Sequence, residues 1–465
     1  MLTHTAHIII TSLYLIVILQ LLSVVVAWLQ NSQLSTADHE KDVRLEAPTQ
    51  IPECPACQAT EQIAADLSIK PPPPLAFKRG RARSVATDIY YCPNRSCDYY
   101  GWLGLGNIRS NGHPGGSRWR QLECVVCGSY FMETVNTIFY CKKSPPELIW
   151  QVLKALAEGL GIRATARVFD LHPNTVESWL REAADHMTAV THYLMQNLEV
   201  SQVQMDELWA LLGRQDVDDK GQKQRAKRWV WTAIDPESKL WLAYVIGDRS
   251  QALAQRLVHA VVAILTPDCI PLFISDQWSA YQTALLTHFG HWVQIPRQGK
   301  RGPHPKPRWL PLPHLQYAQV VKERCKGRVI SVTQRLVYGS LEIVERIMAQ
   351  SVGQVINTAF MERLNLSIRQ HVSALGRKVL AIAKGEVGLN DFLALYQAYY
   401  NFCLPHSSLR QPLPQPLPTK GTGSFKKWHK RTPAMAAGLT DRPWRMEELL
   451  LFSVPPWPQS RPTSL

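Results

Sequence analysis

The spacing of apolar residues changes several times along the chain, and each change marks a different kind of element. Residues 7–29, "HIIITSLYLIVILQLLSVVVAWL", contain no Lys, Arg, Asp or Glu, and an uncharged apolar run of this length can span a bilayer as one helix. Between residues 145 and 192 apolar residues recur at helical spacing, whereas residues 200–281 show mostly strand-like patterns. Helical patterns return at residues 341–403. The sequence therefore predicts a multidomain α/β protein with an apolar N-terminal helix within residues 1–31.

Four short apolar patterns within residues 200–281 predict the strands of one sheet. They are "VQMDELWALL", "KRWVWTAID", "KLWLAYVI" and "PLFISD", and a helical pattern, "SQALAQRLVHAVVAIL", separates the third from the fourth. Three strands, a helix and another strand are the order of an RNase-H-like sheet. We therefore predict an RNase-H-like mixed sheet with helices over residues 200–403. A Pro-rich, basic insert is expected at residues 297–328, and a Pro-rich, basic, linker-like tail at residues 404–465.

Cysteines in close pairs indicate metal binding rather than a framework of disulfides. Two such pairs, "CPNRSC" and "CVVC", flank a stretch that is rich in glycine and arginine. Two cysteine hairpins at this separation can supply four thiolates at the corners of a tetrahedron, which is the arrangement of a structural zinc site. We predict a zinc ribbon over residues 90–140. Its expected Zn²⁺ ligands are Cys92, Cys97, Cys124 and Cys127.

Residues 32–89 have the composition of a linker. They include four consecutive prolines, which favour an extended spacer, and the basic run "KRGRAR", which either contacts phosphates or is simply solvated. They also include the pair "CPAC". Cys54 and Cys57 either complete a second metal site with a partner such as Cys141 or substitute for one hairpin of the ribbon, and both interpretations remain open.

Three helical patterns follow one another within residues 145–192. The first predicted helix covers residues 146–158, the second covers 163–169, and the third begins after Asn174, a residue type that caps helix N-termini. A short helix, a tight turn and a capped helix with a polar first turn form the helix-turn-helix pattern; the alternative is an ordinary helical hairpin. In the helix-turn-helix interpretation, the side chains that face the DNA major groove are His172, Asn174, Thr175, Ser178 and Arg181.

Composition and charge agree with a folded protein that meets a polyanion. Hydrophobic residues make up 46% and charged residues 19% of the chain, which excludes a disordered polyelectrolyte. The chain has 51 Lys and Arg against 37 Asp and Glu, a formal net charge of +14. A basic surplus of this size points to nucleic acid or an anionic membrane surface as the partner.

Two acids lie in strands suited to metal-dependent chemistry. Alternation along "SQVQMDELW" places Asp206 on a polar face of the strand and Glu207 on the opposite face, where we expect it to cap or to pair with a basic residue. Asp276 ends the short apolar strand "PLFISD". The ends of buried strands are where α/β sheets expose functional side chains, so Asp206 and Asp276 are the first two candidate acids.

The third candidate acid is Glu362 in the predicted helix "INTAFMERLNLSIRQH". Asn365 and Arg369 follow it at i+3 and i+7, so the three share one helical face. The alternatives for the third acid are Glu323, Glu342 and Glu345.

Three carboxylates are the natural ligands of two hard divalent cations. Such a pair of ions, about 4 Å apart, activates a nucleophile and stabilises the leaving oxygen in phosphodiester chemistry. Without cations the acids would repel one another and raise each other's pKa. Basic and polar side chains would then hold the DNA backbone. The expected contacts are Lys300, Arg301, Lys322, Asn365 and Arg369.

Several motifs resemble those of bacterial insertion-sequence DDE transposases, of the insertion-sequence-one type with an N-terminal zinc ribbon and helix-turn-helix. They are "MDELW", "ISDQWSAY", "NTAFMERLNLSIRQH" followed by "RKVLAIAK", and "YYNFCLPHSSL", and the resemblance covers roughly residues 92–452. It implies an RNase-H-like catalytic core that uses Mg²⁺ or Mn²⁺, recognises terminal inverted repeats, and cleaves and transfers strands through 3′-hydroxyl attack. By resemblance, Asp206, Asp276 and Glu362 are the catalytic, metal-binding acids, although the last two are farther apart than is usual in the family.

The resemblance also implies the partners. These are double-stranded DNA, as element ends and as target, and a second copy or more of the chain assembled on it, in the cytoplasm. Residues 7–29 add a possible association with a membrane through a single-pass segment. One alternative is a zinc-ribbon and helix-turn-helix DNA-binding regulator with an inactive RNase-H-like core, which does not explain three acids in suitable elements. Another is a membrane-anchored protein that binds anionic lipid, which does not explain the cysteine pairs.

Overall fold

The fold begins, in the part of the chain that can be described, with a small cysteine-rich unit and continues into a large sheet covered by helices. A computed structural model describes residues 70–75, 85–217, 223–295, 306–326, 328–377, 379, 382–419 and 423–459. Four of the features singled out in the sequence lie outside these residues: the apolar residues 7–29, the "CPAC" pair Cys54 and Cys57, the run "KRGRAR", and the basic residues Lys300 and Arg301. Within the described ranges, no helix has both the length and the apolar character needed to cross a bilayer.

A three-stranded antiparallel sheet lies within the residues for which a zinc ribbon is predicted. Its strands are β1 (Ile108–Ser110), β2 (Gln121–Cys124) and β3 (Tyr130–Met132), and β2 is the central strand. Ile108 and Leu122 are buried against the cysteines in a small core of their own. Because the unit is so small, this core leaves much of its stability to other interactions.

Three helices follow the small sheet at the positions that the apolar spacing predicts. They are α1 (Pro146–Ala157), α2 (Ile162–Val168) and α3 (Pro173–Leu194). The predicted N-cap of the third helix, Asn174, is wrong by two residues: His172 is the N-cap, and its Nδ1 accepts a hydrogen bond from the Asn174 backbone N–H at 3.2 Å. Pro173 suits the first helical position because it has no N–H to leave unpaired.

A six-stranded mixed sheet forms the centre of the molecule. The strands that follow α3 are β4 (Gln202–Val217), β5 (Lys223–Ile234), β6 (Trp241–Gly247), β7 (Leu272–Asp276), β8 (Gly290–Val293), β9 (Arg308–Pro311), β10 (Gln316–Cys325) and β11 (Arg328–Tyr338). The strand order in the sheet is β11-β10-β7-β4-β5-β6. Within this sheet, β4 and β5 are antiparallel neighbours, as are β5 and β6, whereas β7 is parallel to both β4 and β10. Strands β8 and β9 form a separate hairpin.

Helices cover both faces of this sheet. They are α4 (Gln251–Val262), α5 (Ala280–Phe289), α6 (Leu341–Gln350), α7 (Ala359–His371) and α8 (Glu386–Ala398), which a π-helical turn (Tyr399–Cys403) extends. Alternation along β4 decides which side chain meets which helix. The Gln204 side chain accepts a hydrogen bond from the backbone of Met361 on α7. Trp231, the cross-strand partner of Glu207, packs against Tyr281 of α5 on the other face. The three strands, helix and fourth strand expected from the sequence are all present.

The predicted basic insert and tail are both more structured than expected. Residues 316–325, inside the expected insert 297–328, form β10, which pairs in parallel with β7 and buries Tyr317 and Ala318. Its second half is polar and exposed, which hid the strand in the sequence. The tail 404–465 is not a linker throughout, because it contains α9 (Pro433–Ala436) and α10 (Met446–Leu451), and Trp444 and Leu449 join the main hydrophobic core.

The last described residues, 453–459, run across the cysteine-rich unit, and we call them the C-terminal strap. The Tyr91 hydroxyl donates a hydrogen bond to the Val454 carbonyl at 2.8 Å. The Trp457 ring lies 5.5 Å from the Tyr100 ring and 5.4 Å from the Trp102 ring, both edge-on. The strap therefore joins the two extremes of the described chain.

Candidate catalytic and metal-binding sites

The four predicted zinc ligands meet at one point. The Sγ atoms of Cys92 and Cys127 are 3.6 Å apart, those of Cys97 and Cys124 are 3.9 Å apart, and all four lie within 4.8 Å of one another. Tetrahedral zinc with Zn–S bonds of about 2.3 Å requires sulfur atoms about 3.8 Å apart. The cysteine cluster therefore fits zinc in both ligand type and spacing.

Two of these cysteines would need a bound cation to be thiolates at neutral pH. Burial raises the pKa of the Cys92 thiol strongly and that of Cys97 to about 11, so only a cation nearby would keep them ionised at neutral pH. The Asn107 side chain donates to Cys124 Sγ at 3.6 Å, and such donors support a metal-bound sulfur. Cys141 is exposed and is not part of the cluster.

Parallel pairing brings Asp206 and Asp276 together from distant parts of the sequence. Strand β7 is paired with β4 at Gln204 and Ile274, so the two aspartates lie two residues farther on in adjacent strands. Oxygen atoms of Asp206, Asp276 and Glu207 all lie within 4.8 Å of one another. Two of the three predicted acids are thus in one cluster, which we call the acid cluster, and Glu207, which was expected only to cap or to pair with a basic residue, completes it.

Asp206 is held from the α7 side. The Asn365 side-chain amide donates to Asp206 Oδ2 at 2.8 Å. Burial, with the nearby Asp276 carboxylate, raises the pKa of Asp206 to about 6, while Lys322 acts in the opposite direction. The carboxylate is therefore costly in its ionised form unless a cation offsets it.

Glu207 lies on the opposite strand face, as predicted, and pairs with a basic residue. Arg249 donates to Glu207 Oε2 at 3.0 Å, and the Glu207 side chain is only 2% exposed. Burial and the Asp276 carboxylate raise the pKa of Glu207 to about 7. The ion pair with Arg249 agrees with the expectation that Glu207 pairs with a basic residue. Its carboxyl group also lies near those of Asp206 and Asp276, so side chains from both faces of β4 meet close to the end of β7.

Glu362 lies outside the acid cluster in this structure. It sits in the first turn of α7, with a side chain that is 56% exposed and ion-paired to Lys322 of β10. The Lys322 ammonium also donates to the Thr358 hydroxyl at 3.2 Å. The Glu362 charge nevertheless contributes to the raised pKa of Asp206, so it lies beside the cluster.

The alternative third acids are placed less favourably than Glu362. All three are exposed and outside the acid cluster, and Glu342 pairs with Arg346 on its own helix. They are Glu323 on β10 and Glu342 and Glu345 on α6.

The DNA contact at Asn365 stays a prediction; in this structure its side chain is buried and donates to Asp206. Lys322 is engaged with Glu362 and Thr358 rather than presented free to a ligand. Arg369 is half-buried, and its guanidinium donates to the Leu375 carbonyl at 3.3 Å. These three residues belong to the surroundings of the acid cluster.

The residues predicted to face the DNA major groove differ in how exposed they are and in what they contact. His172, Asn174 and Ser178 are exposed, and Thr175 is half-buried. Arg181 is exposed, but its Nε lies 3.8 Å from the buried Asp391 carboxylate of α8, so its charge is directed toward the sheet domain. Two exposed arginines that the sequence analysis did not single out, on α2, line a concave surface at the turn before α3. They are Arg163 and Arg167.

A mixed sheet with acids converging from adjacent parallel strands agrees with a metal-dependent polynucleotidyl transferase, the general class that the resemblance implied. Residues 200–294 match the family model described as IS1 transposase. "Insertion element IS1 protein InsB" of Shigella sonnei is 24% identical over 188 residues, which are 40% of this chain and 86% of that protein. "Insertion element IS1 4 protein InsB" of Escherichia coli (strain K12) is 24% identical over the same length, 68% of that protein. The predicted resemblance to IS1-type DDE transposases is confirmed, and these relatives support a transposase.

A solved structure titled "Crystal structure of the Mos1 Strand Transfer Complex" contains a chain that is 12% identical to this one. The match covers 30% of this chain and 53% of that chain, with a TM-score of 0.13. A score this low supports no argument about fold or function.

Proposed function

We propose that the protein is a DNA transposase that binds the ends of an insertion element and catalyses metal-dependent strand cleavage and strand transfer. The observation that supports this most directly is the meeting of Asp206 and Asp276 in adjacent parallel strands, within the residues that match the IS1 transposase model. The order of strands around them is that of an RNase-H-like sheet.

The donor set in the acid cluster fits a hard divalent cation, Mg²⁺ or Mn²⁺. Carboxylate oxygens are the ligands that these ions prefer, and burial leaves the Asp206 carboxylate in need of positive charge. When bound, the cation would supply charge stabilisation to a reacting phosphodiester and lower the pKa of an attacking hydroxyl. Asp206 and Asp276 would hold it, Asn365 would keep Asp206 oriented, and Glu362 would join them on release from Lys322.

The DNA is proposed to lie across the helices that precede the sheet. His172, Asn174 and Ser178 are exposed at the start of α3, and Arg163 and Arg167 lie beside them on α2. Polar groups at the start of a helix can contact base edges while arginines bind phosphates. The cysteine cluster, as a structural Zn²⁺ site, would fix the small sheet next to them, and two copies of the chain would join two element ends.

The test is nicking of DNA that carries the inverted repeats flanking the gene, with Mg²⁺ and the full-length protein. Asp206→Asn should abolish nicking and leave binding to the same DNA within about twofold, because it removes a metal ligand while α2 and α3 stay intact. Asp268→Asn makes the same change at an exposed position before β7 and serves as the matched control.

Two outcomes would contradict the proposal. Full nicking by Asp206→Asn would remove the acid cluster from the chemistry. Tight and sequence-specific DNA binding by the unaltered protein without nicking, in Mg²⁺ or in Mn²⁺, would instead identify a zinc-ribbon and helix-turn-helix regulator with an inactive core.

A further inference from the structure

Glu207 is the member of the acid cluster whose chemistry remains unexplained. Its side chain is only 2% exposed, and Arg249 binds one of its two carboxylate oxygens, Oε2. Among the described residues, the other oxygen, Oε1, is buried and has no partner within ordinary hydrogen-bond distance, although the Tyr281 hydroxyl lies near enough to act on the pKa of this carboxyl. A buried carboxylate oxygen without a close partner is unfavourable, so its retention calls for a ligand.

Arg249, which binds Oε2 of Glu207, is itself held between two tryptophan rings. Its guanidinium lies 5.0 Å from the centre of the Trp229 ring and 4.8 Å from that of Trp278. The backbone N–H of Trp278 donates to Asp276 Oδ1 at 3.2 Å. Trp278 thus contacts both Arg249, which binds Glu207, and Asp276, so the Glu207 and Asp276 carboxylates are oriented together.

Charge in the acid cluster matches one divalent cation. Asp206, Glu207 and Asp276 carry three negative charges when ionised, and Arg249 returns one positive charge. Lys322 is engaged by Glu362. Two negative charges therefore remain, which is the charge that one Mg²⁺ or Mn²⁺ neutralises.

We propose that Glu207 is a third carboxylate ligand of the divalent cation bound by Asp206 and Asp276, and that Arg249 is the positioning residue that holds it. The inference rests on the proposed function, since it assumes that the two aspartates bind a cation. In this arrangement all three ligands of the first-bound ion come from two strands: Asp206 and Glu207 from β4, and Asp276 from its parallel neighbour β7. Glu362 on α7 is then left to complete the site when DNA arrives.

The competing explanation is that Oε1 of Glu207 serves only to accept a hydrogen bond from Tyr281. The Tyr281 hydroxyl is buried, no partner among the described residues lies within ordinary hydrogen-bond distance of it, and its longer interaction with Glu207 contributes to the raised pKa of the tyrosine. In that case the glutamate and the tyrosine would stabilise the fold and would have no part in binding cations. Glu207→Gln and Tyr281→Phe distinguish these explanations, since each removes one partner with little change in shape.

The experiment measures Mn²⁺ binding to the zinc-loaded, full-length protein without DNA, by electron paramagnetic resonance of the free ion. Glu207→Gln should weaken binding about tenfold or more, the scale expected for changes at a metal site, whereas Tyr281→Phe should leave it within about twofold. Asp206→Asn should abolish binding. Glu386→Gln, an exposed acid paired with Arg228, is the matched control and should bind as the unaltered protein does. Circular dichroism confirms that each variant is folded.

The outcomes separate this inference from the proposed function. If Glu207→Gln binds Mn²⁺ normally while Asp206→Asn does not, Glu207 is not a ligand and the transposase proposal is unaffected. If Asp206→Asn also binds normally, or the unaltered protein binds no Mn²⁺, both fail. Equal losses of affinity in Glu207→Gln and Tyr281→Phe would overturn the inference in favour of a structural pair.

Discussion

Replacing Asp206 by asparagine should stabilise the metal-free protein at neutral pH while removing its response to Mg²⁺. The ionised carboxylate is half-enclosed next to Asp276, and burial is the largest cause of its raised pKa. The substituted amide has nearly the same shape, and its oxygen can still accept the hydrogen bond that Asn365 donates. The change therefore removes an unfavourable charge without opening a cavity.

The size of the effect follows from the pKa. A rise in the pKa of Asp206 from its usual 3.8 to about 6 corresponds to about 3 kcal/mol of destabilisation by the ionised form. Residual solvent and the Lys322 charge reduce this, and we expect a gain of about 1–3 kcal/mol in the free energy of unfolding. For a domain of this size each kcal/mol raises Tm by about 2–4 °C.

The pH dependence of the free energy of unfolding shows in which direction the Asp206 charge acts on stability. Because the folded-state pKa of Asp206 is raised, the native protein holds its proton to a higher pH than the unfolded chain does, so stability is lost as pH rises through the interval from 3.8 to about 6. The advantage of Asp206→Asn should therefore be small near pH 4 and complete above about pH 7. In saturating Mg²⁺ the unaltered protein should recover the difference, and the variant should not respond.

The assay is thermal unfolding followed by circular dichroism, in buffer free of Mg²⁺ but without a chelator that would strip zinc from the cysteines. Asp268→Asn, the exposed control, should shift Tm by less than about 1 °C, since surface substitutions change stability little. A Tm for Asp206→Asn equal to or below that of the unaltered protein at pH 7.5, with a native circular dichroism spectrum, would refute the reasoning.

Three further predictions concern the proposed cation site and the cysteine cluster. Mn²⁺ affinity should fall as pH is lowered from about 8 to 5.5, because Asp206 and Glu207 take up protons with pKa values raised to about 6 and about 7; an affinity that is flat over this range would contradict it. Cys124→Ser should lower zinc affinity by more than about 100-fold, since it removes a ligand rather than a supporting group, and zinc content by mass spectrometry should fall accordingly; retention of one zinc per chain would exclude Cys124 as a ligand. Asn365→Ala should slow nicking by about 10- to 100-fold with DNA binding unchanged in mobility-shift assays, whereas weakened DNA binding would instead identify Asn365 as a DNA contact.

The parts of the fold that could be predicted from the sequence are those set by local periodicity. Apolar residues recur at regular spacing over a long stretch both in the helix that carries Glu362 and in the strand that carries Asp206. The predicted element types, one helix and one strand, were therefore correct. Asp276 was found because it ends an apolar run. The four clustered cysteines were found because they lie in two short motifs of the spacing expected for a zinc ribbon.

The parts that were missed depend on contacts between distant residues. Glu207 joins the acid cluster only because β7 stops at Asp276, and the sequence does not show where one strand ends relative to its neighbour. The strand β10 has an apolar first half and a charged second half, so neither period is sustained. Asn365 has the spacing of an exposed helical residue, but its partner Asp206 lies on β4. Such choices are made by tertiary packing, which overrides local pattern.

The contacts of the C-terminal strap with the cysteine-rich unit can form only after residues 453–459 have been synthesised. A ribosome releases the cysteine-rich unit well before the strap, and domains generally fold as they emerge. Gly101 has φ +73°, and a Cβ there would lie 2.5 Å from Pro456 Cγ, so the seat for the strap is specific to glycine. Until residues 453–459 emerge, the Tyr100 and Trp102 rings lack the Trp457 ring that packs between them. Before then the cysteine-rich unit is joined to the rest of the fold by contacts such as the Arg118–Glu147 ion pair but lacks those of the strap, so its final placement follows the synthesis of residues 453–459.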